Sequence, residues 1–136
     1  MAHISGGKGP AAGVRIPDGN WPTMITLFKD NREIDYGAMA RLIDWYIENG
    51  ADGLFAVCQS SEMFHLSLKE RAELAAFVVR HADGRVPVVA SGHVSDAPEA
   101  QAEEIKRILD TGIEAFVLVS NRLAGPDESD DMWIRR

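Results

Sequence analysis

The fold of this chain is decided by Leu54-Phe55-Ala56-Val57-Cys58-Gln59-Ser60-Ser61-Glu62-Met63-Phe64-His65-Leu66-Ser67. A short apolar run follows Gly53 and predicts a buried strand. The polar cluster from Gln59 to Glu62 ends that strand, and Ser67 then stands three residues before Glu70. This S-x-x-E spacing predicts the start of a helix, because each of the two side chains can accept the other residue's backbone N–H.

A polar loop between a strand and a helix is where α/β proteins place many of their ligand-binding groups. Side-chain hydroxyls and backbone N–H groups can converge there on an anion, and Ser60 and Ser61 supply two hydroxyls. The alternative is an ordinary βα loop that is polar because solvent surrounds it. Spacing alone leaves both interpretations open.

Similar apolar runs recur along the chain, and helix patterns separate them. Strands are predicted near residues 24–28, 53–58, 86–91 and 115–119. Helices are predicted after an N-cap at Asp35, over residues 68–81, and after a cap at Asp96 with D-x-x-E spacing to Glu99. Continuous apolar strands that alternate with amphipathic helices indicate parallel βαβ units.

Two architectures are built from such units: a (β/α)8 barrel, and an open doubly wound sheet with a ligand at its switch point. No G-x-G-x-x-G or G-x-x-x-x-G-K-[ST] loop supports a nucleotide-binding doubly wound fold. The fold class prediction is therefore α/β with four βα units in residues 21–136, and both architectures remain open at this point. Residues 1–20 are rich in glycine and proline and are predicted to be a flexible lead-in. Half a barrel leaves strand edges uncovered, so the chain is expected to be incomplete.

Composition and charge exclude several kinds of partner. The formal net charge of the 136 residues is −7, whereas binding to nucleic acid or to an anionic membrane needs clustered lysine and arginine. Cys58 is the only cysteine, which excludes an internal disulfide and a cysteine-based zinc site. No apolar run approaches the roughly 20 residues of a membrane span, and no signal-peptide pattern opens the chain. A cytoplasmic protein without a cofactor or metal is expected.

Single polar residues near the strand ends have simple structural interpretations. His65 and His93 lack any metal-ligand spacing and are expected to be surface or capping groups. Glu62 is expected to bond its own loop rather than to act in catalysis. Cys58 ends a buried strand and is expected to serve as a small hydrophobic residue.

Three motifs follow one another in a fixed order. Thr26-Leu27-Phe28 is similar to a T-P-F sequence, Cys58-Gln59-Ser60-Ser61-Glu62 stands in the place of G-T-T-G-E, and Leu66-Ser67-x-x-Glu70-Arg71 resembles L-S-x-x-E-R. In this order they resemble the dihydrodipicolinate synthase / N-acetylneuraminate lyase family. The chain, which matches from about Asn20 to Asn121, is thereby identified as a divergent member that carries the N-terminal half.

The resemblance implies a (β/α)8 TIM barrel, of which residues 21–136 would form about the first four βα units (half a barrel). It also implies a class I aldolase-type enzyme, in which a lysine on the sixth barrel strand forms a Schiff base with a 2-oxo acid, usually pyruvate. The predicted substrate-binding residues are Thr26, Gln59, Ser60, Ser61 and Asn121. The loop hydroxyls and N–H groups would hold the substrate carboxylate. Gln59 departs from the family, since it replaces a hydroxyl of a proton relay and an amide cannot relay protons in that way.

The catalytic residues are not identified in this chain. The family's fifth and sixth strands correspond to residues beyond Arg136, and no tyrosine follows Val119, where the family has P-Y-Y. A Schiff-base lysine must be desolvated enough to be neutral near pH 7, and Lys29, in a charged loop, does not meet that condition. The chain alone is therefore predicted to be inactive.

The alternative function is a non-catalytic binding or assembly module. Such a module would close its half barrel by pairing with another copy, because parallel edges are left after the last strand. A homo-oligomer is expected under either function.

Overall fold

The computed structural model describes residues 16–135. The predicted flexible lead-in over residues 1–20 therefore falls mostly outside the described residues. Helices and strands alternate along the chain. Their bounds are α1 Tyr36–Glu48, β1 Leu54–Phe55, α2 Leu68–Ala82, β2 Val88–Ala90, α3 Pro98–Leu109, β3 Ala115–Phe116 and α4 Asp130–Arg135.

The three strands form one parallel sheet in the order β1-β2-β3. Leu54 pairs with Val88, and Val89 pairs with Ala115. Because neighbours in the sheet are also neighbours in the chain, the described strands contain no switch point. A doubly wound fold would place its ligand at such a reversal of strand order. The sheet therefore has the order of a barrel.

The segment predicted as a first strand, residues 24–28, does not form one, and that prediction was wrong. Phe28 forms an isolated antiparallel bridge with Ile34, and Thr23, just before the segment, forms an isolated parallel bridge with Phe55 of β1. The Met24 N–H donates to the Phe55 carbonyl at 3.0 Å, which places the segment beside β1. Further along, the Thr26 hydroxyl donates to the Ser61 carbonyl at 2.7 Å. The Phe55 N–H donates to the Pro22 carbonyl at 3.1 Å, so backbone bonds join residues 22–24 to β1 and a side-chain bond joins Thr26 to the loop that follows it.

Local signals set the starts of α1 and α2 as the sequence predicted. Asp35 accepts the Ala38 N–H at 2.9 Å and caps α1. Ser67 and Glu70 form the reciprocal capping box of α2, with the Ser67 N–H 2.8 Å from the Glu70 carboxylate. Each bond satisfies a donor that the first turn of a helix leaves free.

The start predicted for α3 was displaced by one residue. Ala97, not Asp96, is the N-cap, and Pro98 is the first helical residue. Proline suits that position because it has no N–H to satisfy and its φ is already helical. Asp96 instead bonds Arg122 at 2.7 Å. A tertiary ion pair has taken the side chain that would otherwise cap the helix.

The core lies between the helices and one face of the sheet. Leu54 is fully buried there, and Phe116 packs against the same cluster. The fully buried side chains around them include Met24, Met39, Ile43, Leu74, Val78 and Ile108. The residues that follow Leu54 and Phe116 in the chain, Phe55 and Val117, line a cavity. Since neighbouring strand residues face opposite sides, the sheet separates the core from this cavity.

A tryptophan closes the amino end of β1. Trp21 packs directly over Gly53, so closely that a Cβ atom at that glycine would overlap the indole ring. The Trp21 Nε1 donates to the Pro17 carbonyl at 3.1 Å. The contact explains why glycine precedes the strand.

In the described part of the chain, no helix has the length and apolar character needed to cross a membrane.

Candidate functional site

The loop after β1 turns sharply out of the sheet. Cys58 is still extended, with φ of −150°, and the next three residues form a single 3-10 turn, Gln59–Ser61. Glu62 then adopts a left-handed conformation with φ of 60°. The turn places successive side chains in different environments, so the predicted polar cluster divides into a buried part and an exposed part.

Ser61 belongs to the buried part. Its hydroxyl accepts the Cys58 N–H at 3.1 Å and lies within donating distance of two carbonyls, Met24 at 2.7 Å and Ala56 at 2.9 Å. The residue is fully buried. These contacts join the loop after β1 to the segment beside the strand. The Ser61 hydroxyl is thus engaged with the backbone.

Thr26 supports the same turn from the neighbouring segment. Its side chain is buried and donates to the Ser61 carbonyl at 2.7 Å. Thr26 and Ser61 therefore lie together beneath the turn, and both hydroxyls hold backbone groups. They fix the geometry of the loop on which the exposed residues stand.

Gln59 and Ser60 form the exposed part and face a cavity of about 180 Å³. Their polar side chains make one wall. The remaining lining residues are Thr23, Phe55, Cys58, Val117 and Val119. An amide and a hydroxyl among mostly apolar lining residues can orient a small molecule that has one polar end. The cavity lies at the carboxyl ends of parallel strands, where barrel enzymes bind their substrates.

Asn121 lies elsewhere. It lines a different cavity of about 470 Å³, with Asp96 and Arg122 among its other lining residues. The structure therefore brings Gln59 and Ser60 together at one cavity and puts Thr26 and Ser61 beneath them. It does not place Asn121 in that cavity.

A buried ion pair joins two helices behind this face, and the sequence did not predict it. The Arg71 guanidinium and the Glu104 carboxylate are 2.7 Å apart, with side chains 4% and 7% exposed. Burial lowers the pKa of Arg71, and the facing carboxylate opposes that shift. Arg71 lies on the apolar stripe of α2, three residues before Leu74. A charge on an inward stripe is the one sequence signal that points to such a pair.

The ion pair also organises the loops after β1 and β2. Glu104 accepts the backbone N–H groups of Val94 at 2.8 Å and Ser95 at 3.1 Å. Arg71 donates to the Leu66 carbonyl at 2.6 Å. One pair of charges thus holds both loops at the carboxyl ends of the strands.

His93 is fully buried, and the prediction that it is a surface or capping group was wrong. Its Nε2 lies 3.2 Å from the Val119 nitrogen and 3.3 Å from the Val119 oxygen. The ring also contacts Phe116, with centroids 5.4 Å apart. Burial lowers the pKa of His93. The imidazole thus joins the loop after β2 to the chain after β3.

Glu62 and Cys58 stand on the same loop. The bond that Glu62 makes within the loop is a backbone bond, from its N–H to the Gln59 carbonyl at 3.0 Å, whereas the predicted bond was one of its side chain, which is exposed. Cys58 is buried, with its Sγ 3.3 Å from the Ser61 hydroxyl. Within residues 16–135, no group of three histidine, cysteine, aspartate or glutamate side chains could hold a metal ion.

The two adjacent serines are expected to respond differently to the same substitution. Ser61→Ala removes the partner of several buried backbone groups and should lower the free energy of unfolding by about 1–3 kcal/mol. Ser60→Ala removes an exposed hydroxyl and should change it by less than about 0.5 kcal/mol. Urea denaturation of both variants measures the difference. Equal losses would contradict the division between buried and exposed residues.

Known proteins match the chain in both sequence and structure. The Dihydrodipicolinate synthetase family matches residues 17–121. The 4-hydroxy-tetrahydrodipicolinate synthase of Oceanobacillus iheyensis is 36% identical over 110 residues, which cover 81% of this chain and 37% of that protein. The chain thus spans little more than a third of that relative's length.

Two crystal structures have a similar fold. A dihydrodipicolinate synthase of Bacillus anthracis is 30% identical with a TM-score of 0.70, covering 76% of this chain and 36% of that one. YagE, a prophage protein of the dihydrodipicolinic acid synthase family from E. coli K12, was solved in complex with pyruvate. It is 30% identical with a TM-score of 0.67, covering 72% of this chain and 33% of that one.

These relatives are TIM barrels, so the prediction of a partial barrel is confirmed. The family match includes the 3-10 turn, the capping box of α2 and all three strands of the sheet. Since this match covers most of the sequence, the chain belongs to the dihydrodipicolinate synthetase family.

Proposed function

We propose that the chain is part of an aldolase-type lyase or synthase that acts on a 2-oxo acid of the pyruvate class through a lysine imine. The cavity lined by Gln59 and Ser60 carries the proposal, because it lies at the carboxyl ends of parallel strands in the place of the family's G-T-T-G-E loop. The pyruvate complex of YagE supports the choice of ligand.

In this proposal the exposed residues bind the carboxylate and the buried residues keep them in place. The Ser60 hydroxyl and the Gln59 amide each donate a hydrogen bond to a carboxylate oxygen. Thr26 and Ser61 hold the turn from below, so that both donors are oriented before the ligand arrives. Gln59 orients the ligand but relays no proton, and proton transfer belongs to another group.

The amine that forms the imine comes from outside the described residues. Lys29 and Lys69 are exposed and pair with Glu33 and Glu73, each at 3.7 Å. Lys106 is an exposed residue of α3. A lysine that attacks a carbonyl must be held in a desolvated site that favours its neutral form. None of these three lysines occupies such a site.

Pyruvate titration followed by borohydride reduction tests both parts of the proposal. Pyruvate should shift the amide NMR signals of Gln59 and Ser60, and Ser60→Ala should weaken that response. Mass spectrometry after reduction should show this chain unmodified, whereas full-length Oceanobacillus iheyensis synthase serves as the positive control. An adduct on any lysine of this chain would contradict the assignment of the amine. Unshifted signals at Gln59 and Ser60 would contradict the cavity as the binding site.

A second candidate is an assembly module that closes its half barrel by self-association. One observation supports it: within the described residues, β3 pairs with β2 only, so its other edge is open. Leu118, just past β3, is 53% exposed. Light scattering tests this candidate, since a monomer at high concentration would contradict self-association.

A cytoplasmic location is also part of the proposal, supported by a single cysteine that cannot form an internal disulfide.

A further inference from the structure

We propose that Thr23 is a specificity-determining residue of the cavity lined by Gln59 and Ser60, and that it selects 2-oxo acids with a hydroxyl group on the third carbon. The Thr23 side chain supplies a hydrogen-bond partner at the end of the cavity away from the turn that carries Gln59 and Ser60. This inference rests on the proposed function, since it takes the ligand carboxylate to be bound by those two residues.

Thr23 has a hydroxyl group that the fold does not use. Thr26 and Ser61 donate their hydroxyl groups to backbone carbonyls, at 2.7 Å in each case. The Thr23 side chain lines the cavity and is exposed, and among residues 16–135 its hydroxyl has no hydrogen-bond partner. A ligand in the cavity can therefore bond this hydroxyl without breaking a bond of the fold.

Two backbone hydrogen bonds fix the position of Thr23 beside β1. The Phe55 N–H donates to the Pro22 carbonyl at 3.1 Å, and the Met24 N–H donates to the Phe55 carbonyl at 3.0 Å. Thr23 lies between these two bonds and forms a parallel bridge with Phe55. Residues paired in this way point to the same face of a sheet, and both of these residues line the cavity. The Thr23 side chain is thus held in place before a ligand binds.

The polar residues stand at different heights along the cavity. Phe55 precedes Cys58 by three residues, and within this stretch the Ala56 N–H still bonds to the backbone of β2. Three residues of extended chain span about 10 Å. Gln59 directly follows Cys58, whereas Thr23 is paired with Phe55. A distance of about 10 Å along the strand therefore separates the two polar ends.

A short hydroxy-2-oxo acid fits this separation. In an extended three-carbon acid, a carboxylate oxygen and a hydroxyl oxygen on the third carbon are roughly 5 Å apart. A hydrogen bond of about 2.8 Å at each end brings the total to about 10 Å. The carboxylate then stays with Gln59 and Ser60, and the hydroxyl group on the third carbon meets Thr23. A methyl group at the same place, as in pyruvate, makes no such bond.

The rest of the lining favours a short ligand with a single charge. The cavity volume of about 180 Å³ is below the roughly 300 Å³ at which pockets for drug-sized molecules begin. Within the described part of the chain, no residue that lines the cavity is charged. A second carboxylate at the Thr23 end would therefore lose water without gaining a cation. A hydroxyl group needs only one neutral partner.

NMR titration tests the inference with two acids of nearly equal size. Hydroxypyruvate carries a hydroxyl group where 2-oxobutanoate carries a methyl group, so the ratio of their affinities isolates the added hydrogen bond. The dissociation constants are measured from the amide signals of Gln59 and Ser60. Hydroxypyruvate should bind about two- to tenfold more tightly, as expected for one net hydrogen bond between neutral groups. Equal binding, or tighter binding of 2-oxobutanoate, would overturn the inference.

Three variants show whether the preference belongs to Thr23. Thr23→Val keeps the shape of the side chain without its hydroxyl and should bring the affinity ratio close to one. Thr23→Ser keeps the hydroxyl and should preserve the ratio. The control, Thr111→Val, removes a hydroxyl that bonds the Ile108 carbonyl at 2.6 Å outside the cavity lining, and it should keep the wild-type ratio. An unchanged ratio in Thr23→Val would refute the role of Thr23.

The same titrations separate this inference from the proposed function. If both acids shift the Gln59 and Ser60 signals with equal affinity, the cavity binds 2-oxo acids and only the selection by Thr23 is wrong. If neither acid shifts those signals, the proposed ligand of the cavity is wrong, and the inference is overturned with it.

Discussion

Glu104→Gln is expected to lower the free energy of unfolding by about 3–5 kcal/mol, because it leaves the buried Arg71 guanidinium without its counter-charge. Both side chains are almost fully removed from solvent, at 4% and 7% exposure, so water cannot replace the lost partner. An unpaired charge is far more unfavourable when it is buried than when water surrounds it. The substitution also weakens the charge-assisted bonds that hold the Val94 and Ser95 N–H groups.

Chemical denaturation of matched variants measures this effect. Glu73→Gln is the control, since it breaks the Lys69–Glu73 pair on the exposed face of α2, where the charges are 3.7 Å apart. An exposed pair of this kind contributes about 0–1 kcal/mol. The double variant Arg71→Met with Glu104→Leu removes both charges and should recover part of the stability that Glu104→Gln loses. Similar losses in Glu104→Gln and Glu73→Gln would show that the pair is not buried in solution.

The second large effect is expected at the strand that precedes the candidate site. Leu54→Ala removes a fully buried side chain from the core and should lower the free energy of unfolding by about 2–5 kcal/mol. The loss includes a cavity term, because the backbone of β1 is paired with β2 and cannot collapse into the space left behind.

Leu118→Ala is the matched control for this position. It makes the same chemical change at a leucine that is 53% exposed, so the free energy of unfolding should change by less than about 0.5 kcal/mol. Thermal or urea unfolding of the two variants compares them directly. A loss at Leu118 as large as that at Leu54 would mean that the edge beyond β3 is covered in solution. That outcome would favour self-association of the chain.

The sequence was a good guide to features that depend on neighbours within one turn or one strand. Asp35 and the Ser67–Glu70 box cap their helices as predicted, because both partners lie within three residues of each other. The alternation of strands and helices predicted parallel βαβ units, which the sheet confirms. Residues 24–28 were misassigned because their apolar pattern resembles a strand, whereas Met24 bonds the backbone of β1 and Thr26 bonds the loop after β1 through its side chain.

The candidate site was predicted in part. The motif order pointed to the loop after β1, and Gln59 and Ser60 of that loop line a cavity at the end of the sheet. Spacing could not distinguish Ser60 from Ser61, because the 3-10 turn sends one hydroxyl to solvent and the other into the backbone of a segment 37 residues away. Asn121 lies at a different cavity for a similar reason, since its direction is set by the turn after β3.

Residue order along the chain was thus sufficient for the βα units and for the caps of α1 and α2, which follow from hydrophobic period and short-range hydrogen bonding. The family was identified from the order of its motifs. The buried ion pair of Arg71 and Glu104, the contact of His93 with Val119 and the roles of the two serines emerged when distant elements packed. The ion-pair partners are 33 residues apart, and His93 and Val119 are 26 apart. No local pattern encodes such pairings, because burial and the geometry of facing loops select them.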